Sequence, residues 1–178
     1  YYNKDVTPVI TIEEANEDTR TITLNDEVFI SGTVIIEEGV YYLNVTVTDK
    51  AGNSATETIV FTIDKTAPVV TITAPEDGAF YKSADVPAGA YTVTDNYDTS
   101  PTVVESGWST TAGEHTYTVT ATDDAGNVGS ASVTYTVDDT APVITITGVA
   151  DGKYYNKDVT PVITIEEANE DTRTITLN

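Results

Sequence analysis

The chain has 178 residues and a net charge of −21 at pH 7, because 29 Asp and Glu face only eight Lys and Arg. Binding to nucleic acid needs clustered cations, so this balance argues against nucleic acid as a partner. Thr, Val and Ile dominate while Leu and Cys are scarce or absent, which favours strands and excludes a disulfide framework. No apolar run approaches the length of a membrane helix, so we predict no membrane span.

Short β-rich runs separated by Gly, Pro, Asn and Asp predict strands along the whole chain. In chain order, the predicted strands cover residues 27–30, 41–48, 56–63, 69–73, 91–94, 102–105, 115–122, 132–137, 143–147, 159–165 and 172–177.

Two internal repeats organise these strands. Residues 1–25 recur without a change at residues 154–178, and residues 45–73 align without gaps with residues 119–147. The sequence therefore alternates two related modules with a period of 153 residues. We assign residues 1–66 to a module A without its first strand, residues 67–140 to module B, and residues 141–178 to the N-terminal half of the next module A. Because the chain contains no Met and cuts the repeat off register, we expect it to be a section of a longer repetitive chain.

The motif Asp-x-Ala-Gly-Asn occurs at residues 49–53 and 123–127, between consecutive predicted strands. Gly and Asn tolerate the positive φ of a tight turn, so the motif predicts a hairpin in each module. Each module then ends in Thr-Ala-Pro, where proline ends the strand ladder and stiffens a short connection. Six or seven short strands per module predict two-sheet sandwiches stacked end to end with little hinge motion.

The run VTVTDKAGNSATETIVFTIDKTAPVVTIT at residues 45–73 resembles the tandem bacterial immunoglobulin-like modules of large surface and secreted proteins, and module B also resembles the hyaline-repeat type. The resemblance implies an all-β fold of tandem immunoglobulin-like β-sandwich modules stacked end to end. It also implies an extracellular location, at the cell surface or secreted. Such modules serve as stalks of adhesins, spacers in exoenzymes and parts of surface layers.

The sequence offers little for catalysis. Cys is absent, and His115 is the one His that could complete a Ser-His-Asp arrangement. His115 lies on a predicted strand, which favours a structural role for it. We therefore expect a protein that is not an enzyme.

Acidic segments from three parts of the chain converge at each junction if the sandwich is immunoglobulin-like, because the first loop and the last hairpin lie where the preceding module arrives. Carboxylate and amide oxygens are calcium ligands, so these segments are candidate calcium sites. The candidates at the A-to-B junction are Asp64, Asp95, Asn96, Asp98, Asp123, Asp124 and Asn127. Those at the B-to-A junction are Asp138, Asp139, Glu166, Glu167, Asn169, Glu170 and Asp171. The alternative is that these are ordinary solvated turns of an acidic protein, since no EF-hand spacing is present.

These features favour a structural repeat region, the stalk or fibre body of an extracellular bacterial surface protein or adhesin. Its partners would be adjacent modules of the same longer chain or neighbouring copies in a fibre, with a host or glycan ligand at a distal tip. One alternative is a module that binds a carbohydrate or host protein through its loops or exposed Tyr. Another is a head-to-tail filament in which residues 142–147 complete the first module of a neighbour, which requires that strand to be unpaired in its own chain.

Overall fold

The computed structural model of the chain describes residues 1–169 and 172–176. Their regular elements are strands and one short 3-10 helix at Ser83–Asp85, which confirms the all-β fold class. The strands are β1 (Glu17–Leu24), β2 (Glu27–Val28), β3 (Gly39–Asp49), β4 (Ser54–Ile63), β5 (Val69–Ala74), β6 (Phe80–Tyr81), β7 (Ala90–Thr94), β8 (Thr102–Ser106), β9 (Gly113–Thr122), β10 (Val128–Val137), β11 (Val143–Thr147) and β12 (Val162–Glu166). Among the described residues, no helix is long and apolar enough to cross a membrane.

The chain divides into two compact units, Tyr1–Val137 and Asp138–Asn178. The first unit holds the strands of both the first module A and module B, while the second holds β11 and β12. Contacts therefore divide the chain between Val137 and Asp138.

Module B is a sandwich of two sheets. One sheet has the order β6-β10-β9-β8 and the other pairs β5 with β7. Alternating residues of β9 and β10 are fully buried between the sheets, as expected for strands with one face on a core. Val70 and Ile72 of β5 pack against this core, whose buried residues are Tyr117, Val119, Tyr135 and Val137.

Module A has one four-stranded sheet with the order β2-β1-β3-β4. Its buried core is smaller and consists of Phe29, Ile35, Leu43 and Ile63. The chain before β1 covers part of this sheet without forming a strand, and two isolated bridges, Tyr2 with Ile63 and Val6 with Ile35, tie it to the module.

Both predicted hairpins are confirmed. The first joins β3 to β4 and the second joins β9 to β10. Gly52 and Gly126 have φ of +87° and +89°, the left-handed conformation that glycine adopts without strain. In each turn the glycine amide donates to the carbonyl of the first Asp, at 3.0 Å in the first turn and 3.1 Å in the second.

The identical repeat folds differently in its two copies. Residues 162–166 form β12 and pair with β11, whereas the same sequence at residues 9–13 is not a strand. Conversely, residues 17–24 form β1 on β3, whereas residues 172–176 are not a strand. The strand predicted over 172–177 is therefore wrong for its described part, and Leu177 lies outside the described residues. A strand forms here only where a partner is present.

Two strand boundaries, two short elements and the filament alternative also differ from the sequence predictions. The strand predicted at 159–165 starts at Val162, and the one predicted at 27–30 ends at Val28. Neither β6 nor the 3-10 helix was predicted, because both are too short to show a periodic pattern. The strand proposed as a filament donor, Val143–Thr147, pairs along its whole length with β12 of its own chain. That pairing counts against donation of this strand to a neighbour.

The connection between modules A and B runs over residues 64–68, and backbone packs directly on backbone at its end. A Cβ added to Gly129 of β10 would lie 1.8 Å from the Pro68 carbonyl oxygen. Residue 55 occupies the aligned position of module A and is an exposed Ala. Glycine is therefore required at residue 129, which the connection covers, and not at residue 55.

We expect Gly129→Ala to destabilise the protein by about 1–3 kcal/mol, because the added methyl group must push Pro68 away from β10. Thermal or urea unfolding measures the loss. Ser130→Ala, a change at the exposed neighbouring position, is the control and should stay within about 0.5 kcal/mol of the wild type. Equal stability of the two variants would show that Pro68 does not press on β10.

Candidate metal centre

The junction between modules A and B buries a carboxylate. β4 ends at Ile63, and the next residue, Asp64, has no solvent exposure. The carboxyl group lies at the start of the connection, at the end of module B where the loop after β7 and the hairpin after β9 begin. An ionised carboxylate is costly to bury unless a cation or several hydrogen-bond donors compensate it.

Two more carboxylates converge on Asp64. Asp95 follows β7, and Asp123 follows β9 and opens the hairpin. One oxygen of each of the three carboxylates lies within 4.8 Å of the others. Asp123 is buried and Asp95 is half-buried, so the group is largely shielded from solvent.

The hydrogen bonds to this group leave two oxygens free. Oδ1 of Asp95 accepts from the Tyr97 and Asp98 amides at 3.0 and 2.8 Å, and a carboxyl oxygen of Asp64 accepts from the Thr66 amide at 3.2 Å. Oδ2 of Asp64 and Oδ2 of Asp95 are buried and have no hydrogen-bond partner among the described residues. Buried polar atoms are rarely left unpaired, so these two oxygens indicate a site that a cation can complete.

Asn127 fixes the position of Asp123 relative to the connection. Its amide nitrogen Nδ2 donates to Oδ2 of Asp123 at 2.8 Å, and also to the carbonyl oxygens of Asp64 at 2.9 Å and Thr66 at 3.3 Å. Its backbone amide donates to Oδ1 of Asp123 at 2.8 Å. The last residue of the hairpin motif therefore serves as a donor that joins module B to the connection.

The electrostatics of the group are unfavourable without a cation. Burial raises the pKa of Asp64, and the carboxylates of Asp95, Asp123 and Glu38 raise it further, against the Thr66 hydrogen bond that lowers it. The adjacent Lys65 does not neutralise the group, because its Nζ contacts Asp5 and the Ile36 carbonyl oxygen, both at 2.6 Å.

The geometry and donor set suit calcium. Calcium binds six to eight oxygens at about 2.3–2.6 Å, so oxygens bound to one ion lie within roughly 5 Å of each other. Three carboxylates at or below 4.8 Å can share such an ion, with further oxygens supplied by backbone or water. All ligand atoms on offer are hard oxygens, and neither Cys nor His is present in the group, which disfavours zinc.

The other predicted residues of this junction do not join the group. The carboxylate of buried Asp98 accepts from the Ser100 amide at 2.8 Å and from the Asp124 amide at 3.1 Å, so it holds the two loops together. Asp124 and Asn96 are exposed. Three of the seven predicted residues therefore form the candidate centre, while Asn127 and Asp98 support it.

The acidic residues predicted for the second junction form no comparable group within the described residues. Asp138 accepts from Nδ2 of Asn169 at 2.7 Å, which lowers the pKa of its carboxyl group. Glu167 accepts from the Asn169 amide at 3.0 Å, while Asp139 and Glu166 are exposed. Glu170 and Asp171 lie outside the described residues.

Sequence reasoning missed the residues that hold the connection on module A. Glu38 accepts from the Lys65 amide at 2.5 Å and from the Thr66 hydroxyl at 2.9 and 3.0 Å. No motif links Glu38 to the connection, since they lie far apart in sequence. The change from Ala55 to Gly129 between the aligned modules was a detectable signal of close backbone packing.

No protein-family model matches the chain, and no characterised protein matches its sequence. Among solved structures, the fibronectin(III)-like modules of CbhA from Clostridium thermocellum are similar over 76% of this chain and 86% of that chain. The sequence identity is 18% and the TM-score is 0.38.

Asp64→Asn keeps the side-chain shape and removes one charge from the group. In calcium-free buffer we expect the Tm to rise by a few degrees, because repulsion from Asp95 and Asp123 falls. The raised pKa means that ionised Asp64 costs stability above that pKa, and that this cost disappears as the pH falls through it. The gain in Tm should therefore be largest near pH 7 and should shrink towards about pH 4.

If the group binds calcium through Asp64, millimolar calcium should reverse the order, because only the wild type would keep all three carboxylates for the ion. Asp124→Asn is the matched control, since it removes the same charge from an exposed residue next to Asp123. It should keep the full calcium-dependent rise in Tm. A rise that persists undiminished in Asp64→Asn would contradict the assignment of Asp64 as a ligand.

Proposed function

We propose that the chain is a structural spacer, in which consecutive β-sandwich modules form a stiff stalk or fibre body of an extracellular bacterial surface protein. The observation that carries this proposal is the junction between modules A and B. There, a five-residue connection is bonded on both sides and a buried carboxylate group lies against it.

On the side of module A, the connection is held by charged hydrogen bonds. Glu38 accepts from Lys65 and Thr66, and Lys65 reaches Asp5 and the Ile36 carbonyl. Charge-assisted hydrogen bonds are the stronger ones, and here they act on consecutive residues of the connection. Hinge motion would have to break several of them together.

On the side of module B, the amide of Asn127 donates to two carbonyl oxygens of the connection, and Pro68 packs on the backbone of Gly129. Proline also restricts the backbone at the end of the connection. A connection so short and so fully bonded supports a mechanical role, because it transmits force and orientation between modules.

Calcium would complete the junction by neutralising Asp64, Asp95 and Asp123 and drawing the connection, the loop after β7 and the hairpin together. Modules of extracellular proteins bind calcium with dissociation constants of about 10⁻⁴–10⁻³ M. Three carboxylates without a preorganised EF-hand loop fit this weak range. A stalk stiffened in this way works where calcium is millimolar, which supports an extracellular location.

The charge and the aromatic residues also fit a spacer better than a binding module. A net charge of −21 opposes lateral association of copies, so contacts are expected mainly with adjacent modules in the chain. Tyr41 stacks on Phe61 with ring centroids 5.3 Å apart, and Tyr2 meets Phe61 edge-on at 6.1 Å. These three rings pack against one another within module A, which fits a spacer.

The proposal assigns no catalytic activity to the chain. His115 lies with Nε2 2.6 Å from the Thr111 carbonyl oxygen, and its ring centroid lies 5.6 Å from that of Tyr135. The imidazole thus fastens the loop before β9 to the core of module B. This role is structural and needs no substrate.

The stiffness of the junction can be measured with spin labels, and the absence of Cys makes site-specific labelling straightforward. Labels on Cys replacing Val28 in module A and Val104 in module B occupy exposed positions on either side of the junction. We expect a narrow distance distribution in millimolar calcium and a broader one in excess EDTA, because unneutralised carboxylates repel one another.

A control pair within module A, at Val28 and Lys50, should give the same distribution in both conditions. A broad distribution across the junction in calcium would overturn the proposal of a rigid spacer. A distribution that is equally narrow with and without calcium would leave the spacer intact and refute the role of the ion.

A further inference from the structure

Module A carries an open apolar groove of about 630 Å³ on the face of its sheet. Residues 9–12 form one wall and the inward-facing side of β3 and β4 forms the floor. The residues that give the groove its apolar character are Val9, Ile10, Ile12, Leu43, Ile59 and Phe61. Ile59 is 52% exposed there, although it lies on a strand in the middle of a hydrophobic surface.

Module B shows what covers the same surface. Ile59 and Phe61 align with Val133 and Tyr135, and Leu43 corresponds to Tyr117, because Leu43 pairs with Ile59 as Tyr117 pairs with Val133. In module B these residues lie under β5, and Tyr117 and Tyr135 have no solvent exposure. Val70 and Ile72 of β5 point into the core, while Val69 is 61% exposed. The groove of module A occupies the position that β5 fills in module B.

The repeat supplies the pairing partner of the groove wall. Residues 9–13 are identical to residues 162–166, which pair antiparallel with β11. In that pairing Ile144 lies opposite Ile165, and Ile146 lies opposite Ile163. Ile165 and Ile163 correspond to Ile12 and Ile10 in the first copy of the repeat. In the same register, a strand of the β11 sequence would therefore place its two Ile residues opposite Ile12 and Ile10, which both line the groove.

The chemistry of β11 matches the groove. Residues 141–150 carry no charge in a chain of net charge −21, so they bring no carboxylate of their own into the groove, whose lining also includes Lys4, Asp5 and Glu57. Ile144 and Ile146 align with the inward-facing Val70 and Ile72 of β5. In β11 of this chain, Ile144 and Ile146 are 63% and 57% exposed. Pairing with β12 therefore leaves exposed the side chains that would face the groove.

We propose that the groove of module A is the acceptor site for one extended, uncharged and otherwise unpaired strand of the β11 sequence, which pairs antiparallel with residues 9–13. The two inward Ile side chains cover Leu43, Ile59 and Phe61, as Val70 and Ile72 cover their counterparts in module B.

The test places a copy of residues 141–153 directly before Tyr1 of the full chain. We expect protection of the amides of residues 9–13 from hydrogen exchange to increase about tenfold or more, because they enter a strand ladder. Nuclear Overhauser contacts should appear between the added Ile residues and Leu43 or Phe61. The result should be the same in calcium and in EDTA, so it is independent of the metal centre.

Two matched extensions control for charge and for added length. Asp at the copies of Ile144 and Ile146 should abolish the protection, whereas Asp at the copies of Val143 and Thr145, which align with outward-facing residues, should largely preserve it. As a measurement that does not depend on folding of the extended chain, a separate peptide of residues 140–149 should protect the same amides saturably.

Unchanged protection of residues 9–13 in both the extended chain and the peptide experiment would overturn the proposal. Equal protection by the two Asp-bearing extensions would also overturn the proposal, because binding would then not depend on the side chains that face the groove. Protection that arises in the unextended chain and grows with its concentration would show that a second copy is the occupant instead.

Discussion

The junction depends on the path of the five-residue connection between modules A and B. Hydrogen bonds from Asn127 and to Glu38 fix the connection on both modules, and Pro68 lies so close to β10 that only glycine fits opposite. This fixed course places Asp64 beside Asp95 and Asp123 in a buried position. The same contacts that hold the connection on both modules therefore create a concentration of negative charge that a cation can relieve.

Pairing governs the rest of the fold. The same 25-residue sequence contains a strand at residues 162–166 because β11 lies beside it, and a strand at residues 17–24 because β3 lies beside it. Where the partner is missing, residues 9–13 and the described residues 172–176 have no strand structure. β propensity in this chain thus reflects packing and cross-strand contacts more than local backbone preference. The groove of module A is the visible consequence, since it is a core surface without its covering strand.

Sequence reasoning was sufficient for the parts of the structure that depend on local chemistry. The hairpins follow from the positive φ of Gly52 and Gly126, and most strands follow from alternating β-branched residues. The sequence predicts the candidate centre only in part, because no sequence feature distinguishes Asp64 from Asp98. The carboxylate of Asp98 is used by nearby amides, while that of Asp64 keeps an unpaired oxygen. The pairing of Glu38 with Thr66 depends on tertiary placement, which no local pattern encodes.

Direct calcium binding tests the central claim most simply. Equilibrium dialysis of the full chain against millimolar free calcium, compared with Asp64→Asn, measures the ion bound at the junction. We predict saturable binding of one ion that depends on Asp64, with a dissociation constant of about 10⁻⁴–10⁻³ M. The absence of bound calcium at several millimolar free ion, or binding that is unchanged by Asp64→Asn, would contradict the assignment of this carboxylate group as a calcium centre.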